Sequence, residues 1–346
     1  MSRNGRPGTM PDRQSLLQSA CAVLVGMLAA CGRGAPEVVV YTSVDQVFSE
    51  PVCREFERQS GIAVRAIFDT EETKSTGVVN RIIAEAAAPR ADVFWSGDPV
   101  RPFLLVRRGL VAPYASPEAA SIPTGFRAAD GTWTGEAARA RVLLVNKARV
   151  PDGEMPSSLR DLADPRWKGA TAIANPLFGT TTMHVAALFA AWGDEEARRF
   201  LEALRQNDVR VAGSNGEVRR LVVAGEVAWG LTDTDDANEA LEEGAPVEVV
   251  YPDQDGLGVL VMPTSVVLLR GGPHPAAGRK LVDFLLSPDV EGRLARSAAH
   301  MPLRGGVPVP PGGRSIEDLR AMQVDYGQLG EVMERVQPWL REWTGM

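Results

Sequence analysis

Acidic and hydroxyl side chains gather where apolar runs of this sequence give way to amphipathic ones. "VVVYTSVDQ" ends in Tyr41, Thr42, Ser43 and Asp45, "IAVRAIFDTEETK" in Asp69, Thr70, Glu71 and Glu72, and "ADVFWSGDP" in Trp95, Ser96 and Asp98. A fourth acidic stretch, "LTDTDD", carries Asp233, Asp235 and Asp236. Carboxylate oxygens are the donors that hard cations take, and Asp45, Glu71 and Asp233 are the expected metal ligands. The same carboxylates would balance an organic amine, with the Trp95 ring as a π-face beside it. A competing reading has "DTDD" merely capping the helix "ANEALEEG", whose N-terminus favours acids. Both can hold, with Asp233 facing a ligand while Asp236 caps.

Other residues suit negative charge. Thr180, Thr181 and Thr182 of "NPLFGTTT" fall at an expected helix N-terminus, where hydroxyls and free N–H groups attract anions, and Asn215 of "SNGE" opens another helix. Arg139 and Arg141 share one face of the strand "RARVLLVNK", because strand side chains alternate. They either pair with acids or reach the ligand; if both reach it, a zwitterion or an anion becomes the natural cargo.

Covalent chemistry finds little support. The sequence holds no G-x-S-x-G elbow, P-loop or H-E-x-x-H motif. Cys53 sits in the amphipathic helix "SEPVCREFERQSG" without a nearby His and reads as a buried structural thiol. The three histidines, His184, His274 and His300, are scattered, and His184, on an apolar helix, reads as a satisfied core residue. "DQDGLG" has the spaced acids of a calcium loop but no closing bidentate Glu, and reads as a turn. A net charge of -7 leaves no basic surplus for phosphates and excludes a general nucleic-acid binder. Neither an enzyme nor a cofactor is expected.

The elements that must position these residues alternate. Apolar strands and amphipathic helices follow one another from Glu37, which implies an α/β sheet with right-handed crossovers. A Gly/Pro-rich loop then precedes a second α/β half, and a helical tail follows. Strand ends of one sheet converge on one rim, where ligands bind. At the start of the chain, Arg3, Arg6 and Arg13 precede "LLQSACAVLVGMLAAC", an apolar stretch too short to span a membrane comfortably. Its end, "LAAC", resembles a bacterial lipobox, in which Cys31 becomes a lipid-modified N-terminus.

Taken in order, "VVVYTSVDQ", "FERQSGIAV", "ADVFWSGDP", "RARVLLVNK", "LRDLADPRWKG" and "VAWGLTDTDDANEALEEGAPVEVVYPDQDGLG" resemble the ferric-iron-type extracellular solute-binding proteins of bacterial ABC importers. The resemblance covers about Glu37 to Leu303. It implies a two-lobed type II periplasmic-binding-protein fold, each lobe a mixed sheet flanked by helices, with the ligand in the cleft between them. The expected division is a signal peptide at 1–30, a lipidated linker at 31–36, lobe 1 at 37–137, lobe 2 at 138–255, a return to lobe 1 at 256–305 and a helical tail at 306–346. The implied role is a lipid-anchored monomer outside the cytoplasm, handing a metal ion to a membrane permease. A small organic solute (an amine, zwitterion or phosphonate-like molecule) or a sensory role is the alternative. Family members generally bind iron through tyrosinates, often an adjacent pair just after the strand matching "VAWGLT". This chain has Thr232, Asp233, Thr234, Asp235 and Asp236 there, and only four tyrosines in all.

Replacing Cys31 with Ser is expected to release the protein from membrane fractions or to block its maturation. Unchanged membrane retention and unchanged mass would remove the lipid anchor from the account.

Overall fold

The computed structural model of this chain describes residues 35–69, 76–151, 153–309 and 312–345. The apolar leader, Cys31, Thr70, Glu71 and Glu72 lie outside the described residues. No helix among the described residues is long and apolar enough to cross a membrane.

The first three strands, β1 (Glu37–Thr42), β2 (Ala63–Phe68) and β3 (Val93–Ser96), lie parallel in the order β2-β1-β3. Helices α1 (Gln46–Ser60) and α2 (Thr76–Ala84) connect them, as the alternating pattern requires. Helix α1 buries Val52, Cys53 and Phe56, one face of a helical repeat. Burial, then nearby Glu57 and Glu50, pushes the Cys53 thiol up to about 12, so it stays a neutral packing group. Helix α3 (Arg101–Arg107) and β4 (Val111–Ala112) complete this half.

Strand β5 (Thr134–Asn146) joins the two halves. Its first part pairs antiparallel with β10 (Val261–Leu269), from Thr134 to Ala140. From Arg141 onward it pairs instead with β8 (Trp229–Asp233), and from Leu143 also with β9 (Val247–Val250). The second half adds β6 (Thr171–Ala174), α4 (Gly179–Trp192), α5 (Asp194–Gln206), β7 (Arg210–Ala212), α6 (Asn215–Val223) and α7 (Thr234–Glu242). The chain crosses back between β9 and β10 and continues into α8 (Pro275–Leu285), α9 (Pro288–Ala298) and α10 (Tyr326–Thr344). The order β2-β1-β3-β10-β5-β8-β6-β7 therefore runs through both halves.

Three features differ from the sequence reading. Strand β5 starts before Arg139, because Gly135 and Glu136 are poor strand formers by propensity yet are held there by pairing and burial. His184 is buried in α4, but neither ring nitrogen has a hydrogen-bond partner among the described residues, so it is not satisfied. Burial and the adjacent Arg141 charge hold it well below the usual imidazole range. The tail, finally, is part of the fold. The Tyr326 hydroxyl donates to the Val261 carbonyl (2.6 Å), Arg107 donates to the Gly327 carbonyl (3.1 Å), and Trp343 donates to the Leu201 carbonyl (3.2 Å). Helix α10 thus touches both halves and the strand at the second crossing.

That second crossing needs a glycine. Gly258 has φ +87°, and a Cβ on it would lie 2.6 Å from the Arg320 carbonyl oxygen. The close approach lets the Val259 N–H donate to the Arg320 carbonyl while the Val259 carbonyl accepts from the Met322 N–H. Gly258→Ala is expected to lower stability by about 1–3 kcal/mol through backbone strain, read as a lower midpoint in urea. An unchanged midpoint would contradict the tight crossing.

Candidate functional site

Arg141 is the first residue of β5 after its partner change, and it is fully buried. Its Nη1 lies 2.6 Å from Asp233 Oδ1 and 3.0 Å from both Thr180 Oγ1 and Asn215 Oδ1; its Nη2 donates to Thr181 Oγ1 at 3.2 Å. Asp233 also accepts from Thr180 (2.8 Å) and Asn215 (3.1 Å) through its other oxygen. Arg141, Thr180, Thr181, Asn215 and Asp233 do come together, but as one closed network. Asp233 was expected to bind metal; a buried guanidinium needs a counter-charge, and Asp233 supplies it. Nor does Asp233 cap α7, since its side chain makes no capping hydrogen bond.

Arg139, two residues earlier and on the same face, is only partly covered. Its Nη1 lies 3.4 Å from Asp235 Oδ2 and 3.8 Å from Asp233 Oδ2, and its Nη2 donates to the Gly97 carbonyl at 3.3 Å. It therefore touches both halves. Burial alone would depress its pKa; the charges of Asp235, Asp233 and Asp45 outweigh that and raise it.

In front of this network lies a cleft of about 320 Å³. The β1–α1 turn contributes Ser43 and Asp45, and the turn after β3 contributes Gly97. A Cβ on Gly97 would lie 2.8 Å from the Ser43 carbonyl oxygen, so only glycine lets these turns meet. The opposite wall is α7, which presents Asp235, Asn238, Glu239 and Glu242. These positions follow i, i+3, i+4, i+7, one face of a helix. The sequence reading weighed Asp235 and Asp236 as ligands or caps but missed Asn238, Glu239 and Glu242, although the spacing was visible. It also missed Thr264 and the segment from Arg296 to His300 at the end of α9.

The acids of α7 repel. Carboxylate oxygens of Asp233, Asp235 and Asp236 all lie within 4.8 Å of one another. Burial, then the charges of Asp235 and Asp233, pushes the Asp236 carboxyl up to about 7, although the Thr232 hydroxyl donates to it (3.1 Å). Burial raises Asp235 as well, against the pull of Arg139. Asp235 Oδ1 is buried without a hydrogen-bond partner among the described residues. His300 is pushed down to about 3 by burial and by Arg139.

Three expected ligand-binding residues point elsewhere. The Tyr41 hydroxyl donates to Glu85 (2.8 Å), with the Arg81 guanidinium 4.8 Å from the ring centre. Trp95 is fully buried and its Nε1 donates to Glu136 Oε2 (2.8 Å). Thr42 accepts from the Val44 N–H (3.0 Å) and shapes the turn. A strand end brings its following loop to the rim, but its own side chains alternate into the packed layers. The other tyrosines are also engaged away from the cleft. Tyr114 donates to Asp283, and burial followed by that carboxylate pushes it up to about 12; Tyr326 bonds the Val261 carbonyl, and Tyr251 is buried near Arg314. Burial raises the pKa of all four phenols, the reverse of what a phenolate ligand needs.

Two halves joined by crossing segments, with a charged cleft between them, define a cleft-type solute binder. The chain belongs to the bacterial extracellular solute-binding proteins, whose family model matches residues 88–314. It is 28% identical over 340 residues to Iron uptake protein A1 of Synechocystis sp., covering 91% of this chain and 92% of that protein. It is 25% identical over 294 residues to a putative 2-aminoethylphosphonate-binding periplasmic protein of Salmonella typhimurium, covering 83% of this chain and 80% of that one. Among solved structures, the Trichodesmium protein in complex with iron and citrate ligands superposes with a TM-score of 0.79 at 23% identity, covering 89% of this chain and 99% of that one. The family is one of solute-binding proteins, not of enzymes.

Behind the cleft, Glu136 is fully buried, accepts from Trp95 and Thr264, and has its Oε1 unpartnered among the described residues. Burial pushes its carboxyl up to about 8. The folded state thus holds this proton more tightly than the unfolded chain. The resulting stabilisation is complete below the unfolded pKa of about 4.5 and is lost as pH rises through about 8, with a slope of up to ~1.4 kcal/mol per pH unit. Glu136→Gln removes the titration. Its stability relative to the parent is expected to rise between about pH 5 and pH 8, measured by urea unfolding across that range; a constant difference would show that Glu136 is not a protonated acid.

Proposed function

We propose that this chain is the solute-capturing subunit of a bacterial ABC importer and that its cleft takes a cation through carboxylate oxygens instead of phenolates. One observation carries this reading: the crowded carboxylates of α7, with Asp235 Oδ1 buried and unpartnered at the cleft wall. Repulsion and desolvation hold these groups above their usual pKa values, and a bound cation would relieve both. Iron is the cargo that the names of the Synechocystis and Trichodesmium relatives suggest. Asp45 and Asp235 are the proposed first donors, with Asp236 beside them and Asp233 held back on Arg141. On this reading residues 37–137 and 138–255 are the lobes, with 256–305 returning to the first. They close about β5 and the second crossing, while a lipid on Cys31 keeps the monomer near its permease.

A second reading has one observation in its favour: Arg139 and Arg296 line the same cleft as the acids. A zwitterion would set its amine against α7 and its anionic end against the arginines, in keeping with the name of the Salmonella relative.

Calorimetry with ferric citrate and with 2-aminoethylphosphonate separates the two. The cation reading expects iron to bind without an intense visible tyrosinate-to-iron charge-transfer band. It also expects Asp235→Asn to weaken binding by more than tenfold, about 1.4 kcal/mol or more. A strong charge-transfer band, or unchanged affinity in the variant, would contradict it. Binding of the aminophosphonate without iron would select the second reading.

A further inference from the structure

His300 closes the cleft from the end of α9. Ala299 before it adopts a left-handed conformation (φ 51°), which ends the helix and turns the chain toward β5. Met301 after it exchanges two backbone hydrogen bonds with Ala138, at 2.8 and 2.6 Å. The imidazole is thus fixed on both sides at the strand that joins the halves. It is 7% exposed, lines the same cleft as Asp45, Arg139 and Asp235, and its Nδ1 is buried with no hydrogen-bond partner among the described residues.

The other two histidines differ. His274 Nδ1 lies 3.1 Å from Asp92 Oδ2, and His184 is enclosed in α4 away from the cleft lining. A buried polar atom without a partner costs free energy. At a cleft wall, that cost is recovered when a ligand supplies the missing partner.

We propose that His300 supplies an imidazole nitrogen to the captured cation, joining Asp45 and Asp235 in a mixed nitrogen–oxygen set that favours a first-row transition ion over calcium or magnesium. Imidazole suits iron, cobalt, nickel and zinc, whereas calcium and magnesium take oxygen donors. Arg139 lies close by without cancelling the attraction. Arg139, Arg141 and Arg296 are three positive charges set against six carboxyl groups, Asp45, Asp233, Asp235, Asp236, Glu239 and Glu242, so the cleft keeps a negative balance. This inference rests on the cation-capture reading, and the test tells the failure of one from the failure of the other.

The mature chain, its His300→Asn and His300→Ala variants and an Asp235→Asn control are titrated with Co2+ and with Ca2+, following heat and the visible d–d bands of cobalt. The expected result is Co2+ binding by the parent, at least tenfold weaker in both His300 variants with shifted d–d bands, and weak Ca2+ binding throughout. Asp235→Asn should weaken Co2+ as well. Should the variants fold poorly, proton NMR of the Co2+-loaded parent decides, since a ligating His300 must show hyperfine-shifted ring resonances. Co2+ binding that is indifferent to His300, with unshifted bands or ring resonances, overturns the role of His300 and leaves the cation reading standing. A parent that binds neither Co2+ nor ferric citrate overturns both.

Discussion

A guanidinium with no exposure to solvent sits on the strand that holds the two halves together, and much of the site follows from neutralising it. Arg141 cannot be left unpaired at that depth, since an uncompensated buried charge costs several kcal/mol. The structure answers with Asp233 at 2.6 Å and with Thr180, Thr181 and Asn215 around both groups. Thr180 and Thr181 stand in the first turn of α4, Asn215 opens α6, and Asp233 immediately precedes α7. Three helix N-termini therefore converge on one carboxylate, where their partial positive charge favours an anion. The ion pair also locks β5 to β8 at the point where β5 changes sheets.

The cleft inherits the consequences. With Asp233 committed to Arg141, Asp235 and Asp236 remain on the first turn of α7, repelling each other and Asp233. Arg139 answers part of that charge and reaches the Gly97 carbonyl of the other half. Its relatives are named for iron and for an aminophosphonate, while the four phenols of this chain are engaged in the packed structure away from the cleft. Carboxylates at the positions expected for the tyrosine pair keep the negative charge there and change its chemistry. On the proposed reading they give oxygen donors without phenolate colour, and burial with the neighbouring acids pushes one of them, Asp236, up to about 7.

Much of this was legible in the sequence, for identifiable reasons. Hydrophobic runs ending in polar residues located the rim, and Ser43, Asp45 and Asp235 do line the cleft. Period-two alternation put Arg139 and Arg141 on one face, and both do approach Asp233. Tyr41 and Trp95 failed because proximity to a strand end does not decide which layer a side chain enters. The acidic face of α7 was visible as i, i+3, i+4, i+7 spacing, but only its first acids, Asp235 and Asp236, were weighed as ligands or caps. His300 carried no local signal at all. Its place depends on a left-handed Ala299 and on pairing with Ala138, far away in sequence. Glu136 was invisible for the same reason, since its partners Trp95 and Thr264 come from other strands.

The central claim is that the cargo is held by Asp45 and Asp235 while Asp233 stays on Arg141. Anomalous diffraction from crystals of the iron-loaded protein tests it most directly. The account predicts a single anomalous peak in the cleft, within bonding distance of Asp235 and of no tyrosine oxygen, with the Arg141–Asp233 pair intact. A peak bonded to a phenolate, or an Asp233 carboxylate that has left Arg141 to bind the metal, would contradict it.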